Sequence, residues 1–303
     1  MKNFCNQKTS AQNYETFRTG FPDWFKQEIP TSECLENARK IDSAKINTVC
    51  VEAKCPNFSL CFKQRKLTFM ILGSTCTRSC RFCAVSKSKN RLAKPDKFEP
   101  QRIARSVSDL QITYAVITSV SRDDLDDGGA EQFLRTIEAV RGFNPAVLIE
   151  ILIPDFQGKT ASLKTVLEAR PEVIGHNIET VSRLYPVLRP EADYRRSLEV
   201  LRGLKKLDSS IVTKSSLMLG LSETEEELLC ALKDLRASGC DILTLGQYLS
   251  PSANHEPVRE FISPKKFLAY RQVALSIGFK SVLSAPLVRS SFGAEQAYLQ
   301  ACS

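Results

Sequence analysis

The chain has 303 residues, 43% of them hydrophobic and 25% charged, and a formal net charge of +8. That mix is close to the ordinary one of soluble globular proteins, and no apolar run approaches the roughly 18 residues of a membrane-spanning helix. The charge admits nucleic acid. The basic residues are scattered, however, without aromatic-plus-basic motifs, so a mildly basic enzyme with an acidic partner is the plainer expectation.

Residues 1–66 show no strand–helix rhythm. Their start, MKNFCNQKTSAQNYETF, lacks an apolar core for secretion, and with Glu15 and few arginines it makes a poor organellar presequence, which points to the cytoplasm. The segment reads as an arm that carries CVEAKCPNFSLC. From residue 67 to 279 short β-branched runs alternate with stretches of helical period. The runs are LTFMILG (67–73), YAVITSV (114–120), VLIEILIP (147–154), VIGHNIE (173–179), IVTKSSLMLG (211–220) and DILTLGQYL (241–249). Helices are predicted at 101–110, 129–142, 159–169, 192–206, 222–237 and 264–277. Ser222, ahead of ETEEELL, is the expected cap of the fifth, and Gly239 its stop. Pro264 after Ser263 opens the sixth. Residues 280–303 form a short tail containing PLVRSSF.

Strand–helix units in series imply a parallel sheet with right-handed crossovers. No GxGxxG follows the first strand, which disfavours an open dinucleotide-binding sheet. The expected fold is α/β: a partial (β/α)6 TIM-like barrel with an N-terminal cluster-bearing arm and a C-terminal tail. Chemistry then gathers at the C-terminal strand ends.

Eleven cysteines, an odd number, argue for metal binding or catalysis over a disulfide framework. Cys5, Cys34, Cys230, Cys240 and Cys302 stand alone and read as ordinary small residues. Cys76, Cys80 and Cys83 follow the first strand as C-x3-C-x2-C. Structural zinc takes four closed ligands, and this loop offers three, with His176 and His255 far along the chain. Three thiolates suit a [4Fe–4S] cube with one iron left open to chelate a small molecule. Zinc or incidental cysteine is the alternative. Cys50, Cys55 and Cys61, spaced C-x4-C-x5-C, say less alone, but beside the first triplet they suggest a second cluster.

The Cys76–Cys83 spacing on a first strand resembles the radical S-adenosylmethionine (SAM) superfamily. Nearly the whole chain resembles the lipoyl synthase family, through CVEAKCPNFSLC, TFMILGSTCTRSCRFCAV, VITSVSRDDLDDGGA, LIPDFQG, HNIETVSRLYP, QYLSPSANHEPVREF and PLVRSSF. The resemblance implies two [4Fe–4S] clusters. One, on Cys76, Cys80 and Cys83, binds S-adenosyl-L-methionine and cleaves it to a 5′-deoxyadenosyl radical. The other, auxiliary, sits on Cys50, Cys55, Cys61 and Ser291 and donates sulfur. The implied reaction inserts two sulfurs at C6 and C8 of a protein-bound octanoyl-lysine, and Ser291 leaves iron as its cluster is consumed. The implied partners are octanoylated lipoyl carrier domains (dehydrogenase-complex E2 subunits, the glycine cleavage H protein), an electron donor such as flavodoxin or ferredoxin, and an iron–sulfur carrier. Neither nucleic acid nor membrane is among them.

Thr118, beside Ser119, and the strand-end pair Asn177 and Glu179 are the expected contacts to the cofactor's ribose or methionine part, with an ordinary polar strand end as the alternative. Asp123, Asp124, Asp126 and Asp127 read as helix caps and loop solvation. His176 and His255 read equally as hydrogen-bonded core groups, and Arg289 either orients the tail or meets a carboxylate. The chain departs from the family pattern at Phe292 and Gly293, where Tyr and His are usual, and at Ser216, Ser222 and Ala285, where glycines are common. Two other readings stand beside the first. One is another radical SAM sulfur-inserting enzyme acting on a different acyl or small-molecule substrate. The other is a non-catalytic iron–sulfur or zinc protein that binds nucleic acid.

Overall fold

A computed structural model describes residues 22–26, 30–90 and 92–303. Cys5 and the N-terminal stretch that bears on targeting lie outside the described residues. The strands are β1 (Asn47–Thr48), β2 (Thr68–Ile71), β3 (Thr75–Cys76), β4 (Ser86–Lys87), β5 (Tyr114–Ser119), β6 (Leu148–Leu152), β7 (Val173–Gly175), β8 (Val212–Leu219), β9 (Ile242–Gln247) and β10 (Ser281–Ser284). Eight form one sheet in the order β1-β2-β5-β6-β7-β8-β9-β10, while β3 and β4 pair separately. Strand β1 is antiparallel to β2, and every later pairing in the sheet is parallel. Among the described residues β1 and β10 do not pair, so the barrel is partial.

Helices Glu99–Asp109, Ala130–Phe143, Thr160–Glu168, Tyr194–Leu207, Glu225–Ala237 and Pro264–Ile277 fill the crossovers, within a few residues of expectation. Parallel strands covered by such helices need apolar side chains toward both layers, which is why the runs read as nearly continuous Val, Ile and Leu. Ile71, Ile117, Phe133 and Ile151 are fully buried in the first half, as are Leu232, Leu245 and Phe267 in the second. Each such side chain contributes about 1.5–3 kcal/mol by leaving water. Among the described residues no helix is long and apolar enough to cross a membrane.

The sequence reading needs two amendments. The tail supplies a seventh parallel strand, β10, and a further helix, Ala294–Cys302. Ser222 does not cap its helix. Its backbone is left-handed, at φ +81°, and the cap is Thr224, whose hydroxyl accepts from Glu227 N while the Glu227 carboxylate accepts from Thr224 N. An extended cap residue with Glu three places on satisfies two orphan donors at once, which a left-handed serine cannot do.

Candidate active site

Strand β2 ends in a sharp turn. Leu72 and Gly73 both have positive φ, and their N–H groups donate to the buried Glu99 carboxylate at 2.9 and 3.4 Å. The turn throws CTRSCRFC across the C-terminal strand ends, where the residues between the cysteines act as pins. Thr77 N and Oγ1 both donate to Ser121 O at 3.0 Å. Arg78, 4% exposed, spans Asp123 (2.6 and 2.8 Å) and Asp155 (2.5 Å). Ser79 donates from N and Oγ to Glu191. Arg81 N donates to Leu188 O, and the Arg81 and Cys83 carbonyls accept from Glu256 N and His255 Nε2. The loops after β5, β6, β7 and β9 therefore all hold the Cys76–Cys83 segment. The Arg78 amide also lies 3.4 Å from Cys76 Sγ.

The second triplet sits on two short helices, Val49–Glu52 and Phe58–Lys63, carrying Cys50 and Cys61, with Cys55 on the turn between them. The buried Asn57 donates from Nδ2 to Leu287 O at 2.7 Å and so ties this arm to the tail. The tail leaves β10 along β9, with Gln247 N donating to Pro286 O. Gly246 makes this possible: a Cβ there would lie 2.0 Å from Val288 O. Arg289 donates to Val288 O at 2.7 Å and thus orients its own tail. Ser291 Oγ then sits 2.7 Å from Thr68 Oγ1.

One cavity of about 550 Å³ joins these parts. Cys50, Cys55, Cys61, Cys76, Cys80 and Cys83 all line it, together with Thr118, Asn177, Glu179 and Ser291. Burial pushes the Cys50 and Cys83 thiols up to about 11 and Cys61 up to about 12, and neighbouring thiols add to each. Burial likewise raises Cys80, against the pull of the Arg189 guanidinium. Thiols crowded this way become thiolates once a cationic centre compensates them, so the donor set fits a soft, positively charged iron–sulfur cluster.

The strand-end residues divide. Thr118 Oγ1 donates to Leu152 O at 2.8 Å, whereas the neighbouring Ser119 hydroxyl is buried without a partner at the cavity wall. Asn177 Nδ2 donates to Glu179 at 3.0 Å and leaves its Oδ1 buried and unpaired. Glu179 holds φ +65°, a costly backbone for glutamate, and lines the cavity. Burial raises its pKa, against the pull of Arg189 and Asn177. Arg189 is the residue that sequence reasoning missed. It donates from Nη1 to Asn177 O, Ile178 O and Tyr185 Oη, lines the cavity and has a buried Nε without a partner. Its motif neighbours were visible in HNIETVSRLYP, but a lone arginine after a proline-bearing turn carries no periodic signal.

His176 stands outside the cavity, buried, with Nδ1 2.9 Å from Ile153 O. Burial lowers it to about 4, with the Arg189 charge adding, so the imidazole is neutral near pH 7. Of the loop aspartates, Asp127 does cap, accepting from Gly129 N and Glu131 N. Asp123 and Asp124 instead form ion pairs with Arg78 and Arg122.

Residues 70–246 match the Radical SAM superfamily model. The chain is 51% identical to the lipoyl synthase of Caldicellulosiruptor saccharolyticus over 92% of its own length and 98% of that protein. It is 50% identical to the lipoyl synthase of Desulfotalea psychrophila over 96% and 97%. In fold it is similar to HydG, a maturase of the [FeFe]-hydrogenase, at 13% identity and a TM-score of 0.57, covering 91% of this chain and 66% of that one. Methylornithine synthase (PylB) is similar at 14% identity and a TM-score of 0.55, covering 77% and 68%. By sequence over nearly its whole length, and by a partial barrel that carries its cysteines at the strand ends, the chain belongs to the lipoyl synthase family of the radical SAM superfamily.

Proposed function

We propose that the protein inserts two sulfurs into an octanoyl-lysine held on a carrier domain, forming lipoyl-lysine. The reading assigns a SAM-binding [4Fe–4S] cluster to Cys76, Cys80 and Cys83, and an auxiliary one to Cys50, Cys55, Cys61 and Ser291. The single observation that carries it is that both triplets and the tail serine open onto the same cavity. At about 550 Å³ that cavity is in the usual range for a cofactor with part of a substrate.

Breaking an unactivated C–H bond is beyond acid–base catalysis. Bound here, the two clusters and S-adenosyl-L-methionine would supply the electron, the hydrogen-abstracting radical and the sulfur. The chain's own residues bind, orient and exclude water. The unpaired Asn177 Oδ1 and Ser119 hydroxyl would accept or share the cofactor's donors, and the Glu179 carboxylate would take a cationic group of it. The unpaired Arg189 Nε is the natural partner for its carboxylate. Val85, Leu217, Met218 and Phe292 give the cavity the apolar walls that an acyl chain needs. Carrier domains of dehydrogenase-complex or glycine-cleavage type, a flavodoxin- or ferredoxin-like donor and an iron–sulfur carrier complete the assignment, in a reducing cytoplasm that keeps these thiols free.

The test is mass spectrometry of an octanoylated carrier peptide incubated anaerobically with the reconstituted protein, reductant and S-adenosyl-L-methionine. The expected product carries two added sulfurs, and the loaded protein holds about eight irons. About four irons with cofactor cleavage but no sulfur on the peptide would overturn the auxiliary-cluster assignment.

A further inference from the structure

Thr68 lies at the head of β2, 5% exposed, and it touches two of the auxiliary ligands assigned above. Its amide lies against the Cys50 thiol, and its hydroxyl is 2.7 Å from Ser291 Oγ. It is the first residue of the TFMILGSTCTRSCRFCAV stretch, but no spacing relates it to the cysteines. Between two free hydroxyls the direction of such a bond is ambiguous. Once Ser291 Oγ binds iron it has no proton to give, so Thr68 must be the donor. A β-branched side chain on a buried strand has little χ1 freedom, so that donor is fixed in place.

We infer that Thr68 is the positioning residue for the Ser291 oxygen: it holds the serine toward the Cys50 side of the cavity and shares its lone pair, leaving a directed but weak iron ligand. The inference rests on Ser291 being that ligand. Hydrogen bonds from outside the ligand set commonly orient and tune metal ligands in this way. Tail geometry agrees. Gly246 and Asn57 fix residues 286–288, but beyond Arg289 the bond from Thr68 is what reaches Ser291 itself. Thr68 and Ser291 also border together a void of about 10 Å³, room for one water at most, shared with Glu150 and Lys214.

The experiment compares the reconstituted full chain with its Thr68→Val, Thr68→Ala, Thr68→Ser and Ser291→Ala variants, each checked for native circular dichroism. The readouts are the Mössbauer spectrum of the auxiliary cluster and the ratio of dithiolated peptide to 5′-deoxyadenosine. Loss of the Thr68 hydroxyl should shift the signal of one iron toward that of Ser291→Ala and lower the ratio at least about tenfold, the lower end of what one hydrogen bond to a charged group carries. Thr68→Ser should restore both. An unchanged spectrum in both Thr68→Val and Thr68→Ala, alongside a changed one in Ser291→Ala, would overturn the role of Thr68. An unchanged spectrum in Ser291→Ala would instead remove the serine ligand on which it stands.

Discussion

The two cysteine triplets share a cavity but are held in very different ways. Cys76, Cys80 and Cys83 ride on a loop whose intervening residues are pinned by loops after β5, β6, β7 and β9, with the buried Arg78–Asp155 pair beneath. Cys50, Cys55 and Cys61 sit on two short helices of the arm, and the links to the tail shown here, from Asn57 to Leu287 O and from Thr68 to Ser291, are neutral hydrogen bonds. Charged, hydrogen-bonded pairs resist disruption more than single neutral bonds do. The contrast suits a permanent site facing one that opens during turnover. The largest expected effect separates them outright. Cys80→Ala should abolish both 5′-deoxyadenosine and product, whereas Cys55→Ala should abolish dithiolated product while cofactor cleavage continues. Chromatography of the nucleoside and mass spectrometry of the peptide read both, and loss of cleavage in Cys55→Ala would erase the distinction.

The pin under the first loop comes next. Arg78→Leu strands Asp123 beside a buried Asp155 whose carboxylate keeps Arg196 and the Gln157 amide. Breaking a buried pair from one side costs about 3–5 kcal/mol. Burial by itself would raise the Asp155 pKa, but the Arg78 hydrogen bond and charge overcome it and hold the carboxyl well below the usual range. A depressed carboxylate contributes stability that is present above its unfolded value, about 3.9, and is lost as pH falls further. The wild-type acid transition should therefore lie lower in pH than that of Arg78→Leu, as urea melts across pH 3 to 7 would record.

His176 lies in the same underlayer and also loses stability in acid, but over a higher pH window. Its folded value of about 4 lies below the ordinary 6.5, so the unfolded chain takes the proton first. Stability should fall from about pH 6.5 to 4, by up to about 3 kcal/mol. His176→Gln should flatten that limb. If it leaves the slope unchanged, another group titrates there.

What was legible in the sequence follows from where each signal comes from. The six predicted strands announced themselves because their apolar runs are buried on both faces, and the cysteine spacings because thiolate ligands have few other reasons to cluster. Strand β10 stayed hidden because Ser281–Ser284 offers only Val282 and Leu283 between two serines, too short an apolar run to signal a strand before it pairs with β9. The N-cap was misplaced by two residues because Ser222 and Thr224 offer the same hydroxyl, and only the backbone conformation chooses between them. Arg189 and Thr68 were missed for another reason. Their importance lies in what folding brings beside them, Cys80 and Glu179 for one and Ser291 for the other.

The smallest effect probes the second region where it is weakest. Asn57 is 2% exposed, and its Nδ2 bond to Leu287 O joins residues 230 positions apart. Asn57→Ala removes the donor and leaves a part-buried carbonyl unsatisfied, a cost of about 1–2 kcal/mol. A loss that small should barely move the melting of the barrel, whose core lies elsewhere. It should act on the register of Val288–Ser291 against Cys50 and Cys55, lowering dithiolated product relative to 5′-deoxyadenosine by a factor of a few. A matched fall in both products would mean that Asn57 supports the barrel as a whole, and the arm and tail would then be no looser than the loop they face.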